Sequence, residues 1–261
     1  MRKRLRRAAA LALAAAALLA LSGCASSQEE RRGLDGGETS VILATSGEPL
    51  RFYALSEEGC AGDDNLVLSN VYDCLTFLEP DGSISPGLAE SWEISEDGLC
   101  YTFHLRRGVK FHNGEEMKAN DVGYSVNRFI SEEWMLFGSF MIKDAEAIDD
   151  YTVKINLKYP YGPFLSMLTY MYIANEKAMT EMGDDAAKHP IGTGAYKFKQ
   201  WDVAQQIVLE ANPDYYKGAP SINTLTFKII PDSNTAFVAL ETGEADLSFN
   251  CSPMDFEQAQ N

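Results

Sequence analysis

From Tyr151 to Lys158 apolar and polar side chains alternate without a break: Tyr151, Val153, Ile155 and Leu157 on one side, Thr152, Lys154, Asn156 and Lys158 on the other. Successive side chains of a strand point to opposite faces, so this period of two demands a half-buried β-strand. A second stretch repeats the pattern, with Tyr101, Phe103 and Leu105 set against Cys100, Thr102, His104 and Arg106. Asp97-Gly98 just before it supplies a hairpin turn, because glycine accepts the positive φ that such a turn needs. Trp92-Glu93-Ile94 alternates on the other side of that turn, and Asn113-Gly114 gives a further turn signal after Phe111. Residues 92–158 therefore read as β-rich.

Helical spacing interrupts and flanks these strands. Val122, Val126, Phe129 and Ile130 fall at i, i+4, i+7 and i+8 behind Asn120-Asp121, a capping pair, and predict a helix. Leu66, Val67, Val71 and Leu75 predict another over 65–75, stopping before the turn Glu79-Pro80-Asp81-Gly82. Pro163 suits a first helical turn leading into 164–172. Ser233 or Asn234 caps a helix carrying Phe237, Val238 and Leu240, closed by Gly243. Apolar runs at Val41–Ala44, Tyr196–Phe198, Ile207–Leu209, Leu225–Ile230 and Asp246–Phe249 predict strands. Strands mixed with helices place the chain in the α/β class.

The first residues have a different character. Arg2, Lys3, Arg4, Arg6 and Arg7 precede an unbroken Ala/Leu run from Ala8 to Leu21, which ends in Leu21-Ser22-Gly23-Cys24. The run is shorter than the roughly 20 residues a spanning helix needs and suits the core of an export signal, residues 1–23. Leu-Ser-Gly-Cys resembles a lipobox, which makes Cys24 the expected acceptor of a diacylglycerol anchor. An ordinary cleaved signal that contains a Cys is the alternative. Two acyl chains suffice for stable anchoring where one is marginal. Residues 24–38, rich in Ser, Gly, Glu and Arg, read as a flexible tether.

Composition excludes several functions. With 22 basic against 38 acidic side chains the net charge is −16, and a cleaved leader would remove only bases. That balance argues against a nucleic-acid partner. At 46% hydrophobic and 11% aromatic the chain is globular rather than disordered. Cys60, Cys74, Cys100 and Cys251 show no CxxC spacing, so no zinc or redox motif is expected; four cysteines allow three full pairings and their spacing selects none. His104, His112 and His189 build no HExxH or Ser-His-Asp pattern, and Gly192-Thr193-Gly194 lacks the lysine of a phosphate loop. No catalytic residue, metal site or cofactor is expected, and an exported hydrolase has no positive support.

Two blocks of residues carry a resemblance. The first runs through Val71-Tyr72-Asp73-Cys74-Leu75, Gly82-Ser83-Ile84-Ser85-Pro86-Gly87-Leu88-Ala89-Glu90-Ser91-Trp92-Glu93, Tyr101–Arg106, Gly108–Gly114 and Ala119-Asn120-Asp121-Val122. The second comprises Gly192-Thr193-Gly194-Ala195-Tyr196, Asn212-Pro213-Asp214-Tyr215-Tyr216 and Leu240-Glu241-Thr242-Gly243-Glu244-Ala245-Asp246. Together, in this order, they resemble the family 5 solute-binding proteins, the oligopeptide and dipeptide binders of ABC importers.

The resemblance implies a type II periplasmic-binding-protein-like lobe, formed by 39–72 plus 174–261, with an inserted β-rich domain at 73–173. It implies that the distal lobe and the return segment lie outside these 261 residues, with two readings open: a truncation or fragment of a longer chain, or a separately encoded distal lobe as a further partner. The other implied partners are a peptide ligand, a permease with its ATPases, and the membrane through lipidated Cys24. By position in the family, Glu58, Gly59, Cys60, Phe137, Asn250 and Cys251 face the ligand, and Cys60 with Cys251 is the favoured disulfide pair if one forms. In peptide binders of this family an acidic residue of the distal lobe meets the ligand's α-amino group. Relatives that take nickel chelates or other small solutes, and a lipid-anchored surface interaction protein, are the competing readings.

Overall fold

The computed structural model describes residues 39–49, 52, 64–131 and 139–250. In chain order the strands are β1 Ser40–Thr45, β2 Thr76–Leu78, β3 Ile84–Pro86, β4 Ala89–Ile94, β5 Cys100–Leu105, β6 Ile142–Asp149, β7 Thr152–Leu157, β8 Tyr196–Asp202, β9 Gln206–Ala211, β10 Thr224–Ile229 and β11 Leu247–Ser248. The helices are α1 Asp64–Val71, α2 Ala119–Ser131, α3 Phe164–Met167, α4 Glu176–Met182 and α5 Ser233–Glu241.

Five strands form a mixed sheet in the order β11-β1-β10-β9-β8. β1 lies between β10 and β11 and is parallel to both, while β9 and β8 extend the sheet as an antiparallel hairpin. Between β10 and β11 the chain passes through α5, the crossover that parallel strands require. Asp232 caps α5, its carboxylate accepting from the Thr235 amide at 2.8 Å. The cap therefore falls one residue before Ser233, since a carboxylate here meets the helix's third amide, as an N-cap does.

Four further strands make an antiparallel sheet, β4-β5-β7-β6. The alternation around Tyr151 and Tyr101 is realised over Thr152–Leu157 and Cys100–Leu105, with Tyr151 itself in the preceding turn: β5 and β7 each bury every second residue, with Phe103 opposite Val153 and Tyr101 opposite Ile155. The Gly98 turn has φ +68°. α2 buries Val122, Val126 and Phe129 into the core shared with this sheet. Each such side chain contributes on the order of 1.5–3 kcal/mol when fully buried.

Two main cores result. One gathers side chains between Leu75 and Ile173; the other combines Leu43–Cys74 with Tyr172–Phe227. A small third cluster joins Ala44 and Ile230 to α5.

Some elements depart from the pattern read in the sequence. The helix expected over 65–75 ends at Val71. Leu75, in helical register with Val71, belongs to the other core, and Cys74 bridges Tyr172 as extended chain. The helix expected over 164–172 shrinks to α3 followed by a 3-10 turn at Leu168–Tyr170, because Met171 turns extended (φ −95°, ψ 95°) to enter that bridge. β6 escaped notice because its pairing slips between Ile142 and Asp144 and again between Ala147 and Asp149, which destroys the period of two. α4 was missed because seven residues hold too few periodic positions, although Asn175 caps it, accepting from Ala178 N.

Candidate functional site

In open α/β sheets ligands bind outside the carboxyl ends of the strands. Here β1, β10 and β11 are parallel neighbours, so their carboxyl ends emerge along one edge: Thr45–Gly47, Ile230–Pro231 and Phe249–Asn250. The edge is stitched across the strands. Ile230 N donates to Thr45 O at 2.8 Å and Phe249 N to Ala44 O at 3.0 Å. Asn250 ties the outer strands together: its Nδ2 donates to Ile230 O at 3.1 Å and to Pro231 O at 3.0 Å, and its backbone N–H reaches Ser248 Oγ at 3.1 Å. Two carbonyl acceptors fix which way the amide faces. Beside it Leu247, in the edge strand β11, is 53% exposed, and Phe249, just past its end, 55%.

Two described residues that follow β1, Glu48 and Phe52, are anchored. Glu48 accepts from Trp201 Nε1 at 2.8 Å and from Ala204 N, at the β8–β9 turn. Phe52 is fully buried against Phe198 and Trp201, ring centroids 5.2 and 4.9 Å away, and its amide donates to Ala187 O at 2.7 Å. A groove of about 460 Å³ adjoins the edge between α5 and the end of β10, lined by Ile230, Pro231, Val238 and Thr242 among others. Its volume lies within the roughly 300–1,000 Å³ of small-ligand clefts.

Of the residues singled out in the sequence, Asn250 stands at this edge. Glu58, Gly59, Cys60, Phe137, Cys251 and Cys24 lie outside the described residues. Among the described residues Cys74 and Cys100 are not bridged to each other; Cys74 Sγ donates to Thr169 O at 3.2 Å. Among the described residues no three His, Cys, Asp or Glu side chains gather as a metal group.

Two polar centres lie where the two main cores meet, and the sequence did not single them out. His112 contacts the Gly192-Thr193-Gly194 turn: Nε2 donates to Gly194 O at 3.0 Å, and Nδ1 accepts from Gly192 N at 3.4 Å. That pairing requires the neutral ring. Burial is the main reason its pKa is pushed down to about 4, aided by Lys197 and resisted by the bond to Gly194. Asp73, 4% exposed, accepts from Thr193 Oγ1 and the Tyr215 hydroxyl, each at 3.2 Å. Burial pushes its carboxyl up to about 6 against the pull of Thr193, Tyr215 and Lys217. In the sequence Asn212–Tyr216 counts only as part of the second motif block; the available clue is Tyr215, whose hydroxyl needs a partner when buried.

The carboxyl ends of β1, β10 and β11 thus present one open edge of a parallel-centred α/β sheet. The family model described as "Bacterial extracellular solute-binding proteins, family 5 Middle" matches residues 83–261. This chain belongs to that family. It is 34% identical over 236 residues to the oligopeptide-binding protein AppA of Bacillus subtilis, covering 86% of this chain and 42% of AppA. Among solved structures, the periplasmic binding protein DppA of Helicobacter pylori, in complex with the peptide STSA, superposes with a TM-score of 0.78 at 32% identity, over 84% of this chain and 48% of that one. NikZ of Campylobacter jejuni, in complex with Ni(L-His), gives 0.73 at 29%, over 80% and 43%. The chain spans about half the length of the relatives it matches.

Proposed function

We propose that this chain is the substrate-binding component of an ABC importer, capturing peptides outside the membrane and delivering them to a permease and its ATPases. The observation that carries the reading is the strand-end edge held by Asn250, in a chain similar to an oligopeptide-binding protein and to a protein solved with a tetrapeptide. In this reading residues 39–72 and 174–261 are one lobe and 73–173 an inserted domain, a division supported by the two separate cores. Glu58, Gly59, Cys60, Phe137, Asn250 and Cys251 face the ligand. Capture through main chain at strand ends suits a peptide ligand, since that mode reads backbone and tolerates varied side chains. The role is binding rather than catalysis, and Cys24 carries the lipid that keeps the protein at the membrane.

These residues supply one wall of a cleft. Small-ligand sites bury about 70–90% of the ligand, so the second wall comes from residues beyond these 261, on the same or a separate chain. A distal acidic partner for the α-amino group would be missing as well. A charge-assisted hydrogen bond contributes about 1.5–3 kcal/mol, roughly one to two decades of affinity. Isothermal titration of residues 25–261 with mixed di- to pentapeptides should therefore show binding weaker than micromolar, strengthened when the distal half is supplied. Submicromolar binding by the monomer alone would show that one wall is a complete site. The similarity to NikZ favours a second reading, a nickel chelate as ligand. Nickel–histidine in the same titration, with the distal half present, decides between them.

A further inference from the structure

Among the described residues the chain passes between the two main cores at Asp73–Leu75 and returns at Tyr172-Ile173. Asp73-Cys74 runs beside Tyr172-Ile173: Cys74 bridges Tyr172 antiparallel, and Ile173 N donates to Asp73 O at 3.0 Å. The Gly192-Thr193-Gly194 turn closes over this crossing, with Gly194 N donating to Val71 O at 2.9 Å. The Asp73 carboxyl group sits inside that junction. Its two hydroxyl donors, Thr193 and Tyr215, stand at 3.2 Å, whereas hydroxyl-to-carboxylate bonds usually measure about 2.5–2.7 Å. A buried carboxylate with two long bonds is poorly compensated for lost water.

The groups facing it come from several segments. Lys217, following Tyr215 and Tyr216, attracts the carboxylate, but its Nζ lies 3.6 Å from the Phe77 ring centroid. Arg106 stands over the Tyr216 ring at 5.9 Å and donates through Nε to Gly87 O at 2.7 Å. Glu79 and Arg106 act on Lys217 in opposite directions. His112 grips the far side of the Gly192–Gly194 turn, with Lys197 near it.

We propose that Asp73 is a proton-operated latch on the crossing between the two cores: neutral, it holds the crossing closed; ionised, it loosens it. A neutral carboxyl group donates to one hydroxyl and accepts from the other, with no buried charge. An ionised one gains by opening to water. The sign follows from linkage. The closed form holds its proton up to about pH 6, against the ordinary value of 3.8 in an open, solvated form. Closure is therefore fully favoured below 3.8, weakens as pH rises through about 6, and changes no further above that.

The test is hydrogen exchange of the whole chain between pH 4 and 7.5, with intrinsic chemical exchange divided out. The amides of Ile173 and Gly194, which bond across the crossing, report its opening. His112 titrates on the same turn with the opposite sign, so the reading is the difference between wild type and Asp73→Asn. That difference should grow roughly a hundredfold in opening constant across the window, as a shift of about two pKa units requires. Tyr215→Phe and Thr193→Val, which remove donors to the carboxylate, should each move the midpoint upward; they serve if Asp73→Asn does not fold. A pH profile identical in wild type and Asp73→Asn, or a midpoint unmoved in both hydroxyl variants, would overturn the latch.

Discussion

His112 shows how a residue's chemistry follows from its neighbours. A free imidazole titrates near 6.5; here a carbonyl and an amide claim its two nitrogens, and burial disfavours the cation, so the ring stays neutral down to about pH 4. The unfolded chain then binds more protons than the folded one between those values. Stability contributed by His112 is fully present above pH 6.5 and is lost as pH falls toward 4, about 3 kcal/mol in all. Urea unfolding of wild type and His112→Asn at steps from pH 4 to 7.5 measures it. The stability difference between the two should shrink as pH falls, and a difference constant with pH would mean that the ring is not the titrating group. The sequence places His112 beside the Asn113-Gly114 turn, yet the partners of its ring lie 80 and 82 positions away. Nothing local encodes them.

At the scale of elements, the close approach of the Gly192-Thr193-Gly194 turn to the end of α1 joins the two halves of the second core. A Cβ on Gly192 would lie 2.0 Å from Val71 O, and one on Gly194 2.5 Å from Asn70 O. Backbone cannot yield as a side-chain tip does, so the turn would have to lift and strain its bond to Val71 O. Gly192→Ala should destabilise by about 2 kcal/mol or more by chemical denaturation. Gly162→Ala is the control: a Cβ there meets nothing within 4 Å, and its effect should fall within about 1 kcal/mol of zero. Equal effects of the two would remove packing as the cause. The strands β5 and β7 were legible because each has one buried and one wetter face. β6 was not, because its two bulges put successive residues out of phase.

For the molecule as a whole, the parallel placement of β1, β10 and β11 aligns three strand ends on one edge, and Asn250 locks two of them. Whether that edge works at a membrane surface depends on the other end of the chain. The basic head, the Ala/Leu run and Leu21-Ser22-Gly23-Cys24 predict a diacylated Cys24 as the mature N-terminus. Mass spectrometry of the N-terminal peptide from membranes should find that modification, and Cys24→Ala should move the protein to the soluble fraction. A mature N-terminus elsewhere, without lipid, would leave the importer reading intact but remove the anchor.

By itself the sequence determined the α/β class, the best-patterned strands and α2, since those follow from the period of apolar residues along a few consecutive turns or pleats. Its two motif blocks also determined the family. Only the tertiary structure decided that Leu75 leaves the helix its spacing suggests, that Asp232 rather than Ser233 caps α5, and that Asp73, Thr193 and Tyr215 share one buried site. The reason is the range of the forces involved. Periodicity records which face of an element is dry, but a buried carboxyl group finds its partners 120 and 142 residues away, and only the closing of the chain brings them within reach.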